Sequence, residues 1–190
     1  VQSYLSDGSS GGLCGASTIT QQLVRNTIMY DVYGDEAFER SSFFTAARRK
    51  LRELLLSMQV EQTLTKDEIL QLYMNEVALG GVNYGFEAAA QSYFGKSVKE
   101  LDLAESSMLA GIIQQPSILS PLFGINPEGA PARQKYVLDQ MLKYKDLTGV
   151  TEEEISAAKE EELKYSSGAI DIEAYHFVFY IKQILEEEFG

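Results

Sequence analysis

The sequence predicts an all-α protein, and three observations support this. Apolar residues recur at helical spacing along most of the chain, and capping signals precede most of the apolar runs. No convincing alternation with a period of two appears, except near 168–172. Because 45% of the 190 residues are hydrophobic, the chain can bury a core, which excludes a disordered tail. The single Cys14 excludes an intrachain disulfide and a cysteine zinc site.

The predicted helices follow one another along the chain, separated by glycine-rich or proline-rich segments. Four of them begin at a capping box: Thr18-x-x-Gln21, Thr65-x-x-Glu68, Asp102-x-x-Glu105 and Thr151-x-x-Glu154. The stretch 115–131 contains all four prolines and predicts an ordered loop, with Pro131 as a first helical residue. The predicted helices are about 18–30, 43–63, 66–79, 86–94, 103–115, 131–147, 152–164 and 173–188.

The charge of the chain is unevenly distributed. The net charge is −12 and the isoelectric point is near 4.5, which disfavours nucleic acid as a partner. Residues 1–66 carry seven basic and seven acidic side chains, whereas residues 67–190 carry nine and 21. Within the neutral part, the basic residues bunch at Arg48, Arg49, Lys50 and Arg52. An anion-binding site is therefore expected at this cluster.

The segment Gly15-Ala-Ser-Thr-Ile-Thr-Gln-Gln-Leu-Val-Arg-Asn26 predicts a helix with one strongly polar face. At about 100° per residue, one arc collects amides, a hydroxyl and a guanidinium. Such groups suit a polyhydroxylated or phosphorylated ligand, although an ordinary solvated helix face is an equally good interpretation. The residues of this arc are Thr18, Gln21, Gln22, Arg25 and Asn26.

The helix over 43–63 carries a carboxylate beside the basic cluster. The spacing predicts that the core stripe of this helix is Leu51, Leu54, Leu55 and Met58. Glu53 lies on a different line of the helix, four residues after Arg49 and three residues before Leu56. It could serve as a tuned acid, a base or the organiser of an anion site, or form an ordinary ion pair.

Five segments in this order resemble the glycosyltransferase family 51 domain of class A penicillin-binding proteins and of monofunctional peptidoglycan glycosyltransferases. The residues 15–26 segment is close to the second motif of that family, with Arg25 where lysine is commoner. Gln71 likewise stands where glutamate is usual. The segments that carry the resemblance are 15–26, 49–53, 66–75, 84–96 and 103–117.

The resemblance implies a lysozyme-like helical lobe with a smaller membrane-facing lobe. It implies polymerisation of lipid II into glycan strands with release of undecaprenyl pyrophosphate. Arg25, Arg49 and Lys50 would hold the pyrophosphate, and Glu53 would assist its departure directly or through a divalent cation, Mg or Mn. The other implied substrate-binding residues are Ser17, Thr18, Gln21, Gln22 and Asn26.

The resemblance also implies a location and a domain organisation. Residues 1–149 would form the glycosyltransferase domain, and 150–190 an acidic helical linker toward an absent transpeptidase domain. The first family motif, with its general base, and the membrane anchor are expected outside the chain; alternatively, the chain is a degenerate homologue that has lost this motif. The outer face of the bacterial cytoplasmic membrane is the expected location, with contact through 28–47, whose aromatic residues could instead be core.

Two other functions remain open from the sequence. A lysozyme-like glycoside hydrolase would share the fold and the carboxylate chemistry, but it has no pyrophosphate to hold. A non-catalytic helical module that binds lipid II or a protein partner would need no catalytic carboxylate at all.

Overall fold

The computed structural model describes residues 17–34 and 43–166, and every regular element within these ranges is helical. The predicted all-α class is therefore confirmed for this part of the chain. The chain divides into two compact units, unit 1 (Val1–Ala78) and unit 2 (Leu79–Gly190). The predicted helix over 173–188 and the strand signal near 168–172 lie outside the described residues.

In its described residues, 17–34 and 43–78, unit 1 has two long helical stretches followed by a shorter helix. The first stretch runs without a break from an α-helix through a π-helical segment into a second α-helix, and Thr18 and Gln21 cap its start. The helix over 43–63 has the bounds predicted, whereas the next one ends at Glu76 rather than near Leu79. The elements are α1 (Ile19–Val24), the π-helix (Arg25–Met29), α2 (Tyr30–Tyr33), α3 (Phe43–Thr63) and α4 (Lys66–Glu76).

The predicted core stripe of α3 is wrong. Its four members are 46–57% exposed: Leu51, Leu54, Leu55 and Met58. The buried face carries Glu53 instead, together with Leu56 and Val60, which pack against Val24 and Met29. Both faces of α3 contain apolar residues, so periodicity alone does not decide between them. The ion pairs of Glu53 allow the polar face to be the buried one.

Seven helical elements lie in the described residues 79–166 of unit 2. Pro116 opens a short helix as its first residue, so the prediction of a continuous loop over 115–131 is wrong. The following long helix begins at Gly129, before the predicted Pro131, and the acidic helix ends at Glu160, before the predicted 164. The elements are α5 (Phe86–Phe94), a 3-10 turn (Val98–Glu100), α6 (Leu103–Ile112), α7 (Pro116–Leu119), α8 (Gly129–Lys143), α9 (Lys145–Thr148) and α10 (Glu152–Glu160).

The apolar core of unit 2 lies where α6, α8 and α10 pack together. Ala104, Leu138, Ile155 and Ala158 form one buried cluster, with one or two members from each helix. Capping boxes fix the starts of α6 and α10 at Asp102 and Thr151, as predicted. Helices α6 and α10 therefore start at defined residues, and the three helices contact one another through the residues of this cluster.

A buried polar contact holds the glycine-rich turn against α5. The Tyr93 hydroxyl donates to the carbonyl oxygen of Leu79 at 2.6 Å and shares a second 2.6 Å hydrogen bond with Ser120 Oγ. Gly80 has a φ of 97°, and a Cβ there would lie 2.6 Å from the Ser120 Cβ. Only glycine therefore fits at this position without rearrangement.

Candidate anion-binding site

Glu53 is the centre of the candidate site. Its relative exposure is 0%, and both carboxylate oxygens are engaged. Lys50 Nζ donates to Oε2 at 2.6 Å, and Arg49 Nη1 donates to Oε1. The helical spacing of α3 places these two cations three and four residues before Glu53, on the same face. Two cations are thus held in fixed positions around one carboxylate.

Lys50 connects this carboxylate to the start of α1. Its Nζ also donates to Ser17 Oγ at 2.5 Å, so an ammonium with three N–H donors has used two of them. The Lys50 side chain is 40% exposed, which leaves its third donor accessible from solvent. The structure therefore brings together four of the predicted site residues: Ser17, Arg49, Lys50 and Glu53.

A second contact attaches α1 to α3. The hydroxyl of the buried Thr20 donates to Glu61 Oε1, and Lys66 Nζ donates to the other oxygen of Glu61. The hydrogen bond from Lys66, followed by that from Thr20, lowers the pKa of Glu61 below its ordinary value. Sequence reasoning missed Thr20 and Glu61, because a threonine on the apolar side of a helix is usually packed rather than bonded.

A third contact attaches α1 to α4. Tyr73, which is 5% exposed, donates its hydroxyl hydrogen to Gln22 Oε1 at 3.3 Å. Burial raises the pKa of Tyr73, and the positive charge of Arg25 opposes that rise. Tyr73 was not predicted as a site residue, although a tyrosine on the buried side of a helix needs a hydrogen-bond partner, which is the signal that could have found it.

Arg25 carries a charge that no described carboxylate neutralises. No ion pair of Arg25 occurs within 17–34 and 43–166, and its Nε is buried without a hydrogen-bond partner. A guanidinium in this state is suited to an anionic ligand.

The remaining predicted residues are used differently. Thr18 and Gln21 bond each other's backbone N–H groups in the capping box, so the helix start occupies both side chains. Asn26 is partly buried in the π-helical segment. Their contact with substrate stays a prediction.

A divalent cation acting with Glu53 stays a prediction. Each oxygen of Glu53 already accepts one hydrogen bond, from Arg49 or Lys50, and keeps a further lone pair. No group of three acidic, histidine or cysteine side chains within the described ranges is arranged to hold a metal.

The predicted membrane-contacting segment 28–47 is described in part. Ile28, Tyr30 and Phe44 are exposed, but Met29 is buried in the cluster with Val24. Phe38 and the side chain of Phe43 lie outside the described residues. No helix in the described part is both long and apolar enough to cross a membrane.

The sequence pattern of the family described as Transglycosylase matches residues 1–142. The chain belongs to the transglycosylase family. This confirms the resemblance found in the motifs.

Individual relatives in the transglycosylase family are similar over most of this chain. It is 43% identical over 178 residues to penicillin-binding protein 1A of Neisseria meningitidis, covering 93% of this chain and 20% of that protein. It is 41% identical over 152 residues to penicillin-binding protein 1A of Pseudomonas aeruginosa, covering 80% and 16%. The chain thus spans about a fifth of the length of these curated relatives.

A crystal structure shows the same fold. Penicillin-binding protein 1A from Haemophilus influenzae is similar with a TM-score of 0.52 and 36% identity. The similarity covers 66% of this chain and 18% of that one. The helical architecture is therefore that of a transglycosylase domain.

Proposed function

We propose that this chain is the part of a peptidoglycan glycosyltransferase that binds the pyrophosphate of the donor. The reaction polymerises lipid II into glycan strands and releases undecaprenyl pyrophosphate. The observation that carries the proposal is the pair of cations fixed on buried Glu53 beside Ser17. Membership of the transglycosylase family supports it.

The reaction requires the protein to stabilise the leaving group. The 4-hydroxyl of the acceptor attacks the anomeric carbon of the donor, and the bond from that carbon to the pyrophosphate oxygen breaks. Negative charge develops on the leaving pyrophosphate, so positively charged donors must already be in position. Arg25, Arg49 and Lys50 supply them. The general base that takes the proton of the 4-hydroxyl is not assigned to any described residue.

Glu53 acts in this proposal through Arg49 and Lys50. Since both of its oxygens accept from these cations, it fixes their positions rather than contacting the pyrophosphate itself. The third N–H of Lys50 and the guanidinium of Arg25 then remain for the leaving group. Orientation of sugar and phosphate oxygens is assigned to Ser17, Thr18, Gln21, Gln22 and Asn26.

The location follows from the substrate. Lipid II is membrane-bound, so the protein acts at the outer face of the bacterial cytoplasmic membrane. The exposed Ile28, Tyr30 and Phe44 support contact with that surface. A transpeptidase domain in the same full-length protein is supported by relatives that are named penicillin-binding proteins.

Hydrolysis of a glycosidic bond is less well supported. A glycoside hydrolase uses two carboxyl groups that flank the scissile bond, one to protonate the leaving group and one as base or nucleophile. Both oxygens of Glu53 are engaged by cations, which leaves this carboxylate less available for either role.

The test is lipid II polymerisation by the full-length protein with Glu53→Gln. The variant keeps the shape of the side chain but loses the charge that holds two cations. We expect kcat/KM to fall by about 100-fold or more, consistent with the loss of a preorganised electrostatic group.

The matched control is Glu153→Gln on α10, where the carboxylate is exposed. That variant should polymerise lipid II at the rate of the wild type. Undiminished polymerisation by Glu53→Gln would refute the role of Glu53. A wild-type protein that does not polymerise lipid II would refute the proposed function.

A further inference from the structure

We propose that Tyr73 is a positioning residue that fixes the side-chain amide of Gln22 so that its NH₂ group donates to an oxygen of the substrate. The inference rests on the proposed function and deepens it. It assigns a positioning role to Tyr73 on α4 and a donor role to the side-chain amide of Gln22 on α1.

The contact between these residues connects two helices that are far apart in sequence. Tyr73 lies on the buried side of α4, and its hydroxyl reaches Gln22 on α1, 51 positions earlier in the chain. The capping box at Thr65 fixes the start of α4. Tyr73 therefore approaches Gln22 from a well-defined helix.

The positive charge of Arg25 favours this direction of the hydrogen bond. A phenol can donate or accept, but the guanidinium of Arg25 is close enough to affect the phenol electrostatically. The oxygen lone pairs are attracted toward that cation, which leaves the hydroxyl hydrogen for Gln22 Oε1. Burial raises the pKa of Tyr73, so the hydroxyl keeps its proton at neutral pH.

The hydrogen bond with Tyr73 fixes which side-chain atoms of Gln22 remain for a ligand. Its Oε1 is used by Tyr73, so the group left for a ligand is the NH₂ with two donors. Arg25 follows three residues later on the same helical face and also offers only donors. The chemistry that matches both is an acceptor oxygen, from either the pyrophosphate or a sugar hydroxyl.

The first experiment is a double-mutant cycle in the full-length protein, with lipid II polymerisation as the readout. We expect Tyr73→Phe to lower kcat/KM by about 3- to 10-fold and Gln22→Ala by about 10-fold. Adding Tyr73→Phe to Gln22→Ala should cause less than about a twofold further change, since the partner is already absent. An equal loss from Tyr73→Phe in both backgrounds would overturn the inference.

The control for general destabilisation is Tyr93→Phe. It removes a buried tyrosine hydroxyl that bonds Leu79 and Ser120, so it tests loss of the same group without contact to Gln22. Its effect on kcat/KM should be the same with and without Gln22→Ala.

A second variant separates the polarity of Gln22 from the folding of α4. Gln22→Glu keeps an oxygen for Tyr73 but loses the NH₂ donors. We expect it to lose at least as much kcat/KM as Gln22→Ala. Activity within about twofold of the wild type would overturn the assignment of Gln22 as a donor.

Product inhibition distinguishes the two sources of the acceptor oxygen. If Gln22 donates to the pyrophosphate, Gln22→Ala should weaken inhibition by undecaprenyl pyrophosphate by about 3- to 10-fold. If it donates to a sugar hydroxyl, this inhibition stays unchanged while the KM for lipid II rises. If the wild type is active but the losses from Tyr73→Phe and Gln22→Ala are additive, only the role of Tyr73 is refuted. If the wild type is inactive, the proposed function is refuted.

Discussion

Unit 1 and unit 2 bury different kinds of side chain. In unit 1, the long helix α3 buries Glu53 and Arg49 while four of its large apolar residues stay about half exposed. In unit 2, α6, α8 and α10 bury Leu109, Leu138 and Ile155 almost completely. Within the described ranges, the charged interior belongs to unit 1, and Glu105 is the only buried charged residue of unit 2.

The difference indicates where stability and function lie. Removing apolar surface from water is the dominant favourable term in folding, and unit 2 obtains it from well-packed helices. A buried ion pair offsets much of its Coulombic attraction by the cost of desolvation, so it stabilises less than an apolar core of similar size. In the proposed function, the benefit of the arrangement in unit 1 lies in positioning cations.

The largest expected effect that tests this comparison is that of Leu138→Ala in α8. Leu138 has 0% exposure in the core cluster, so truncation leaves a cavity and should lower the free energy of unfolding by about 3–4 kcal/mol. Leu55→Ala in α3 removes the same atoms from a half-exposed position and should cost less than about 1 kcal/mol. Urea unfolding of both variants measures the difference, and equal losses would contradict it.

A smaller effect is expected at the glycine-rich turn. Gly80→Ala introduces a Cβ that overlaps Ser120 and also strains a backbone with positive φ, so we expect a loss of about 2–3 kcal/mol. Gly149→Ala has a positive φ but no neighbour within 4 Å, and it should cost about 1 kcal/mol. Thermal unfolding distinguishes the two, and a Gly80→Ala loss no larger than that of Gly149→Ala would show that Ser120 moves aside freely.

The smallest expected effect is a pair of opposite pH dependences at the two ends of α10. Local desolvation, followed by repulsion from Asp102, raises the pKa of Glu161, so its contribution is present below about pH 4.5 and is lost as the pH rises through the raised value. Hydrogen bonds from the backbone and hydroxyl of Thr151 lower the pKa of Glu154, so its contribution is present above about pH 4.5 and is lost as the pH falls.

Glutamine variants test these signs through the pH dependence of the melting temperature. Glu161→Gln mimics the protonated acid and should melt higher than the wild type at neutral pH, with the difference vanishing in acid. Glu154→Gln should melt lower than the wild type at neutral pH, again with no difference in acid. The same sign for both variants at neutral pH would contradict the assignments.

Local signals in the sequence predicted the helices well. The four predicted capping boxes all form, because each depends on two side chains that are three residues apart. The buried face of α3 was predicted wrongly, because the choice between Leu54 and Leu56 as core depends on the position of α1. Two helices also end earlier than predicted, at Glu76 and Glu160, because the helical hydrogen bonding stops there.

The candidate site was predictable where its residues share a motif. Arg49, Lys50 and Glu53 are neighbours on one helix, so their spacing alone indicates contact. Tyr73 and Glu61 bond residues of α1 that are 51 and 41 positions away, and no local pattern encodes such pairs. Long-range hydrogen bonds therefore form the part of the site that required the structure.

The π-helical segment Arg25–Met29 has a consequence for how this chain can vary. A π-helical turn accommodates one more residue than an α-helical turn and is frequent at functional sites. Because the π-helical turn takes up the additional residue, deleting one residue after Arg25 should restore the α-helix while Tyr30–Tyr33 face nearly the same direction as before. A change of length by one residue at this turn would therefore leave both the capped helix start and the faces presented beyond Arg25 in place.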